Sequence, residues 1–458
     1  MRPSGRIFFT HMKSIFLITF VVCSMLTLKG ANVKVIQTDT GYTFLVDYKP
    51  YYVKGVGGTV HLPLAASIGA NSIRTWGVDD AQQILDEAHK YGLTVMLGMW
   101  LQHERHGFDY NNVAKVQNQF NHFKDIVNQF KNHPALLMWG IGNELDLNYS
   151  NTNVWYAVQD LAKYIHEADT NHPTSTVTAG LDSLEVQLIK SRCPDIDVYC
   201  VNTYGDIGNV PKNIQRFGWK GPYMITEWGP NGHWESPNTQ WGVSIEQTST
   251  EKRQVYQERY QKYIWPNRAK CLGSYAFLWG AKQEYTETWY GLFSKDNLVT
   301  EPIDALEIAF TGRAIKNPSP AIDSFKVNQK HMQDNLHLKT DFVYSAQVYP
   351  NVLAAQQGAK LTYTWRIIQE STDKKSGGDF EQYAEEISGL IKQGKTTDKI
   401  AFRAPRTAGE YRLFVTIKGN QKLAYANFPF KVVEPSKTDK PSRLVKWKHT
   451  DINDFYNP

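Results

Sequence analysis

The stretch LLMWGIGNELDLN, residues 136–148, joins a buried strand to a carboxyl group at its end. Its first part is almost continuously apolar, which is typical of a parallel strand covered on both faces. The apolar run stops at Asn143 and Glu144, where the pattern still predicts burial. A buried carboxyl group costs several kcal/mol of desolvation unless it is paired or used, so this strand predicts a functional acid.

Seven further stretches of this kind recur between residues 51 and 280, with amphipathic helical patterns between them. The strand-like stretches are YYVKGV (51–56), NSIRTW (71–76), LTVMLGMW (93–100), TSTVTAG (174–180), DVYCVNTYG (197–205), PYMITEWG (222–229) and CLGSYAFLWG (271–280). The helical patterns lie at 79–91, 113–131, 153–168 and 251–265. Alternating strands and helices in this number predict a (β/α)8 TIM barrel. A doubly wound open sheet is the alternative, but no GxGxxG motif or P-loop follows any of these strands.

The pattern changes after Asn317-Pro318-Ser319-Pro320. Short runs with period-two alternation follow: HLKTDFVYSAQVYP (337–350), KLTYTWRIIQE (360–370), DKIAFRAP (398–405), GEYRLFVTIKG (409–419) and AYANFPFKVVE (424–434). They predict a C-terminal β-sandwich, immunoglobulin-like or fibronectin-like. We therefore predict a catalytic barrel at 31–315, an immunoglobulin-like sandwich at 316–435 and a flexible tail at 436–458.

The first thirty residues are typical of a signal peptide, which we place at 1–30. Lys13 precedes an apolar run at 15–28, and Gly30-Ala31 supplies small residues for cleavage. The run is too short for a comfortable membrane span, so we expect an extracytoplasmic protein that is secreted, periplasmic or on the cell surface. Cys23 leaves a lipid anchor as an alternative, although Val22 before it is larger than the residue such a site usually has.

Composition excludes several classes of function. The formal net charge is +5 over 458 residues, without a long basic run, so we expect no nucleic-acid partner. Besides Cys23 there are three cysteines without framework spacing, which argues against a disulfide scaffold. Aromatic residues make up 13% of the chain, and their flat faces favour carbohydrate as a ligand. We expect a monomer without a metal or an organic cofactor.

Barrel enzymes act at the carboxyl ends of their strands, so the polar and aromatic residues there are the candidates for the site. These residues are Arg74, Trp76, Trp100, His103, Glu104, Asn143, Glu144, Asn202, Tyr204, Glu227, Trp228 and Trp279. Glu144 and Glu227 close the strands that we place fourth and seventh. Two carboxyl groups across a sugar-sized gap are what glycoside hydrolysis requires, one as acid and one as nucleophile or base.

The placement of these two acids resembles clan A of the glycoside hydrolases, which are retaining (β/α)8 enzymes. The resemblance covers residues 45–312, with WGIGNE similar to the acid/base motif and PYMITEWG similar to the nucleophile motif. It implies that Glu144 is the acid/base and Glu227 the nucleophile, with no cofactor.

The same resemblance implies roles for further residues. Asn143 would bind the substrate 2-hydroxyl, Arg74 would steady the nucleophile, Tyr204 would donate a hydrogen bond to it, and Trp279 would lie under the reacting sugar. Trp100, His103, Asn202 and Trp228 complete the predicted substrate-binding residues.

Within the clan, SIRTWGVDD (72–80) and ITEWGPNGHWE (225–235) resemble β-glucan-active members more than the large β-galactosidases. A barrel followed by one immunoglobulin-like domain is similar to endo-β-1,3-glucanases of glycoside hydrolase family 158. The resemblance therefore implies a β-glucan polysaccharide or oligosaccharide as the substrate.

Other interpretations stay open at this point. The substrate could be another β-linked glucan or mannan, the enzyme could be a transglycosylase, or an inactive barrel could bind glycan without catalysis. The spacing of His103-Glu104-Arg105-His106 differs from that of the metal-binding motif HExxH, so we expect a substrate-contacting or solvated loop there. His233, Trp234 and Glu235 lie in a long loop after the seventh strand, and with Asp146 and Glu284 they are candidates for lining the cleft.

Overall fold

The computed structural model describes residues 30–351 and 360–439. The predicted signal peptide with Cys23, and the tail from residue 440 onward, lie outside these ranges. Within the described ranges, no helix has the length and apolar character needed to cross a membrane.

The described chain begins with a three-stranded antiparallel sheet that no sequence pattern predicted. Its strands are β1 (Val33–Thr38), β2 (Gly41–Val46) and β3 (Lys49–Tyr51). The fully buried Phe44 packs in one apolar cluster with Met96, Met138 and Met224, which belong to barrel strands. This small sheet therefore covers part of the barrel core.

Eight parallel strands close into a barrel, which confirms the predicted fold. They are β4 (Val53–Gly57), β5 (Ser72–Arg74), β6 (Thr94–Met99), β7 (Leu136–Ile141), β8 (Thr174–Ala179), β9 (Val198–Asn202), β10 (Tyr223–Trp228) and β11 (Cys271–Ala276). Seven of these strands lie within one of the eight apolar stretches of the sequence, and β4 ends one residue beyond its stretch. Every residue of β7 is buried, as the apolar run before Asn143 predicts.

A helix follows each barrel strand. The helices are α1 (Leu62–Ser67), α2 (Ala81–Lys90), α3 (Val113–Phe130), α4 (Val154–Ala168), α5 (Ser183–Arg192), α6 (Val210–Arg216), α7 (Ser249–Arg259) and α8 (Pro302–Thr311). In α4 the buried residues Val158, Leu161, Ala162 and Ile165 fall at helical spacing and face the barrel core. In α7 the side chain of Thr248 caps the first turn by accepting a hydrogen bond from the Glu251 amide.

The C-terminal domain is a β-sandwich, as predicted. Its strands are β12 (Val299–Thr300), β13 (Ile322–Val327), β14 (His337–Lys339), β15 (Val343–Pro350), β16 (Thr362–Gln369), β17 (Ile391–Gln393), β18 (Lys399–Arg403), β19 (Gly409–Gly419) and β20 (Lys422–Val433). One sheet has the order β13-β15-β18-β17, and the other has the order β12-β20-β19-β16 with β14 also on β20. Because β12 precedes α8 in the chain, the second sheet begins with residues from the barrel side of the predicted boundary at 315.

The two domains share a buried polar interface. The Lys252 Nζ atom of α7 lies 2.5 Å from Glu246 Oε1, and both side chains are almost completely buried. From the sandwich, Asn427 Nδ2 donates to Glu246 Oε2 over 2.5 Å, and Arg412 Nη2 donates to the Ser244 carbonyl over 2.7 Å. Buried groups of this kind are stable only while their partners are in place, so the interface fixes the sandwich against the barrel.

Candidate active site

A cleft of about 770 Å³ opens at the carboxyl ends of the barrel strands, and Glu144 and Glu227 both line it. Its volume lies in the range of small-ligand sites. The other lining residues are Trp76, Trp100, Asn143, Leu147, Asn148, Ala179, Gly180, Asn202, Thr203, Tyr204, Asp206, His233, Trp234, Glu235, Phe277, Leu278, Lys282, Glu284, Ser376, Gly377 and Gly378.

Three donors converge on the Glu227 carboxyl group at the end of β10. Arg74 Nη1 donates to Oε1 over 3.1 Å, and Trp76 Nε1 donates to the same oxygen over 2.7 Å. The Tyr204 hydroxyl donates to Oε2 over 3.1 Å. A buried cation and two neutral donors stabilise the charged form of the carboxylate and fix its orientation.

Arg74 lies beneath the cleft and connects several strand ends. Besides Glu227, it donates to Asn143 Oδ1 over 2.6 Å, to Asn202 Oδ1 over 3.1 Å and to the Thr226 carbonyl over 2.7 Å. Its side chain is only 2% exposed and does not line the cleft. The arginine therefore orients residues that face the cleft and does not itself contact the space within it.

Glu144 follows β7 in a backbone conformation that is rare for residues other than glycine, with φ at +49°. Residues held in such conformations concentrate at functional sites. Asn202 Nδ2 donates to its Oε1 over 2.8 Å. Burial, followed by the negative charge of Glu227, raises the pKa of Glu144 to about 8. Glu144 can therefore keep its proton at neutral pH.

His103 supports the backbone of the site from below. Its Nε2 atom lies 2.7 Å from the Asn143 carbonyl, and the ring centroid lies 4.7 Å from that of Trp100. Burial lowers the pKa of His103 to about 4, so the ring is neutral and its Nε2–H donates to the carbonyl. His103 is 1% exposed and does not line the cleft, whereas Trp100 does.

Besides Arg74 and His103, two further predicted substrate-binding residues do not line the cleft. Trp228 is 0% exposed and packs on Tyr256 and Tyr260, because successive side chains of a strand point to opposite faces and Glu227 takes the inner one. Trp279 is 1% exposed, donates to the Val60 carbonyl and packs on Phe293, so the structure does not place it under a sugar. Strand β11 ends at Ala276, so strand alternation does not determine where the later side chains point.

Several residues line the cleft without a role having been assigned from the sequence. Trp76 follows Arg74 by two positions at the end of a predicted strand, and this position could have predicted its contact with Glu227. Phe277 and Leu278 face the cleft in the region where Trp279 was expected. Ser376, Gly377 and Gly378 come from the sandwich, and no periodic pattern predicts which loop of one domain reaches the site of another. Of the less specific candidates, His233, Trp234, Glu235 and Glu284 line the cleft, and Asp146 does not.

Candidate metal ligands do not cluster in the described part of the chain. Within residues 30–351 and 360–439, no three His, Cys, Asp or Glu residues are arranged to hold a metal ion. Cys193, Cys200 and Cys271 are buried free thiols. Glu104, next to His103, instead accepts hydrogen bonds from the hydroxyl and amide of Ser150.

Comparison with known proteins shows a similarity of the barrel to one family of glycoside hydrolases. Residues 60–270 match the profile described as glycosyl hydrolases family 2, TIM barrel domain. In this region the chain is similar to the barrel domains of that family. Two curated relatives, the β-glucuronidases of Chlorocebus aethiops and Felis catus, are 26% and 27% identical over 182 and 186 residues. These matches cover 35% and 36% of this chain but only 26% and 27% of the relatives, so the chain spans about a quarter of their length.

Among solved structures, the fold is similar to that of the Bifidobacterium dentium β-glucuronidase complexed with coumarin-3-O-glucuronide. The TM-score is 0.47 at 20% identity, covering 62% of this chain and 49% of that one. The family match and the curated relatives support the predicted retaining glycoside hydrolase of clan A. They do not single out the endo-β-1,3-glucanases of family 158.

Proposed function

We propose that the protein is a retaining β-glycosidase that works by double displacement. The observation that carries this proposal is the unlike environment of two carboxyl groups in one cleft. Glu144 has a pKa raised to about 8, whereas Glu227 accepts hydrogen bonds from Arg74, Trp76 and Tyr204. Environments that separate the protonation states of two acids are the general way to assign an acid and a nucleophile.

In the first step, Glu144 gives its proton to the leaving oxygen while Glu227 attacks the anomeric carbon and forms a covalent glycosyl ester. Formation of the ester removes the charge of Glu227, which is one cause of the raised pKa of Glu144. In the second step, the deprotonated Glu144 accepts a proton from water, water attacks the anomeric carbon, and Glu227 leaves as a carboxylate.

Asn143 is the proposed partner of the sugar 2-hydroxyl. Its Oδ1 atom accepts hydrogen bonds from Arg74 Nη2 over 2.6 Å and from Asn202 Nδ2 over 3.0 Å. Both bonds use the oxygen, so the amide nitrogen is the atom that faces a ligand. A donor fixed in this way can bind the 2-hydroxyl oxygen and orient the sugar ring between the two carboxyl groups.

The charges of the cleft favour a neutral sugar over a glucuronide. Lys282 is the one Lys or Arg among the described residues that line the cleft, and it pairs with Glu284 over 2.8 Å. Asp206 and Glu235 add negative charge to the same surface. An anionic sugar would therefore meet like charge without a free cation, which opposes its binding. In this respect the proposed substrate differs from that named for the β-glucuronidase relatives.

The proposed neutral substrate is a β-glucan or a β-glucoside, with internal cleavage of β-1,3-glucan as the favoured version. This finer version rests on the motif resemblance at 72–80 and 225–235 and on the aromatic faces of the cleft. Trp234, which lines the cleft, is 61% exposed and offers a flat face to a sugar ring. The proposed location, outside the cytoplasm, rests on the sequence of residues 1–30 alone.

A substrate screen tests this proposal. Purified protein would be assayed on aryl β-glucoside, β-galactoside, β-mannoside and β-glucuronide, and on β-1,3-, β-1,4- and mixed-linkage glucans and mannan. We expect turnover of β-glucose-containing substrates to exceed that of the glucuronide. The Glu227→Gln variant should show no turnover above background. A folded wild-type protein that hydrolyses none of them would overturn the proposal in favour of glycan binding without catalysis. Oligosaccharide ladders from a polymer would indicate internal cleavage, and a single monosaccharide would indicate cleavage from an end.

A further inference from the structure

A loop of the sandwich extends to the mouth of the barrel. Residues 376–378, which we name the strap, lie between β16 and β17 and line the cleft together with the two catalytic candidates. Asp379 follows the strap and does not line the cleft. A β-sandwich that served only as a spacer between domains would not be expected to place main chain in the cleft that Glu144 and Glu227 line.

One side of the barrel mouth holds the strap through Arg105, in the loop after β6. Arg105 Nη1 lies 2.7 Å from Asp379 Oδ2 and 3.3 Å from the Ser376 carbonyl, and Nη2 lies 3.4 Å from the Gly377 carbonyl. His106 Nε2 lies 3.1 Å from the same Asp379 oxygen. The Arg105 side chain is 9% exposed, so this contact is shielded more than a typical surface ion pair.

The other side holds the strap through the loop after β11. Lys282 Nζ donates to the Gly378 carbonyl over 2.6 Å, and the nearby Glu381 accepts a hydrogen bond from the Tyr285 amide over 2.7 Å. Strands β6 and β11 are not neighbours in the barrel, because β4 and β5 lie between them. The strap therefore links two separated loops at the mouth of the barrel.

The two glycines allow this close approach. Gly377 and Gly378 have φ values of +64° and +69°, which side chains other than glycine rarely adopt. A Cβ atom on Gly377 would lie 2.5 Å from Leu147 Cδ2, and one on Gly378 would lie 2.7 Å from Lys282 Nζ. Leu147 follows Glu144 by three residues, so the strap touches the loop that carries the proposed acid.

We propose that the strap is a specificity-determining part of the substrate site and contacts sugar units beyond the one that reacts. This inference rests on the proposed glycosidase function. The strap belongs to the sandwich and is held by the loops after β6 and β11, whereas Glu227 lies in β10 and Glu144 follows the end of β7 by three residues. We therefore expect a single reacting sugar to be bound without the strap, and a longer glycan to reach it. Arg105 and Asp379 act as positioning residues that hold the strap in place.

The test compares two substrates in an Asp379→Ala variant of the full chain. On an oligosaccharide of three β-1,3-linked glucose units, we expect KM to rise about 3- to 10-fold, which matches the loss of one partly shielded ion pair. On an aryl β-glucoside, kcat and KM should change less than about 2-fold. Arg105→Ala should give the same pattern, because it removes the other partner of the pair. The matched control is Glu385→Ala, which removes an exposed carboxyl group from the same segment between β16 and β17 and should leave both substrates unaffected.

Equal losses on both substrates, or no change on either, would overturn the role of the strap. Calorimetric titration of the trisaccharide into wild-type and Asp379→Ala protein gives a readout that does not depend on turnover, and it should show the same fold-change in Kd. If the wild type binds the trisaccharide more tightly than Asp379→Ala but hydrolyses no substrate, the proposed glycosidase function is wrong and the role of the strap in binding is kept. If the protein hydrolyses the trisaccharide and its Kd is the same in wild type and variant, the role of the strap is wrong and the glycosidase function is kept.

Discussion

Arg74 and Glu227 form a buried ion pair, with Nη1 3.1 Å from Oε1 and side-chain exposures of only 2% and 8%. Desolvating both charges is costly, and such a pair is often no more stable than apolar residues of the same size. The presence of this costly pair beneath the cleft is explained if Glu227 must be charged and held in a fixed direction to act as a nucleophile.

The loss of hydrolytic activity in the Glu144→Ala variant should depend on how much the leaving group needs protonation. A general acid contributes about 10²–10⁴-fold when the leaving oxygen needs a proton. We therefore expect a loss of that order on a glucan and a much smaller loss in bond cleavage on an aryl glycoside with an acidic phenol. Steady-state and single-turnover kinetics on both substrates would measure the difference. Equal losses on the two would argue that Glu144 is not the acid.

The pH profile of kcat/KM should fall on the alkaline side near the pKa of Glu144. Burial and the charge of Glu227 raise that pKa to about 8, and the first step needs the protonated form. Activity is therefore retained below this value and lost as the pH rises through it. The residual activity of Glu144→Gln on an activated aryl glycoside should not fall as the pH rises through about 8. An alkaline limb that persists in the variant would assign it to another group.

The raised pKa of Glu144 also predicts a stability effect. The unfolded chain releases this proton near the ordinary value of 4.5, whereas the folded chain keeps it until about 8. Between these values the unfolded state binds fewer protons, so the free energy of unfolding falls as the pH rises. Glu144→Gln should therefore be more stable than the wild type at pH 8, and the difference should be smaller at pH 5. Chemical denaturation at both pH values measures this, and a less stable variant at pH 8 would contradict it.

Trp76→Phe should reduce kcat without unfolding the protein. It removes the 2.7 Å hydrogen bond from Trp76 Nε1 to Glu227 Oε1 and keeps an aromatic ring at the cleft. A hydrogen bond to a charged group is worth about 1.5–3 kcal/mol, which corresponds to roughly a 10- to 100-fold change. Trp228→Phe is the matched control, because Trp228 packs away from the cleft and should affect stability more than kcat. A normal kcat in the Trp76 variant would show that this donor is dispensable.

The barrel was predictable because its strands are buried on both faces and therefore stand out as apolar runs. The same logic located Glu144 and Glu227, because acids at the ends of apolar strands break the pattern. It failed for Trp228 because proximity in sequence to Glu227 does not mean the same face of a strand. It failed for the strand pair β1 and β2 because most of their residues are exposed or only partly buried, and their apolar residues form no run longer than Phe44-Leu45-Val46.

The contacts between the domains had no sequence signal. Glu246, Lys252 and Asn427 look like ordinary surface residues in the sequence, yet they meet in a buried network. Burial of a polar group depends on partners that are distant in the chain, and a local pattern does not contain them. The same holds for the ion pair between Arg105 and Asp379, which lie 274 residues apart.

The most direct test of the central claim is covalent trapping of the glycosyl-enzyme. A 2-deoxy-2-fluoroglucoside with an activated leaving group slows the second step more than the first, so the intermediate should accumulate. Mass spectrometry of the digested protein should locate the fluorosugar on Glu227. A label on Glu144, on Glu235 or on any other residue would contradict the assignment of Glu227 as the nucleophile, and so would turnover with inversion and no intermediate.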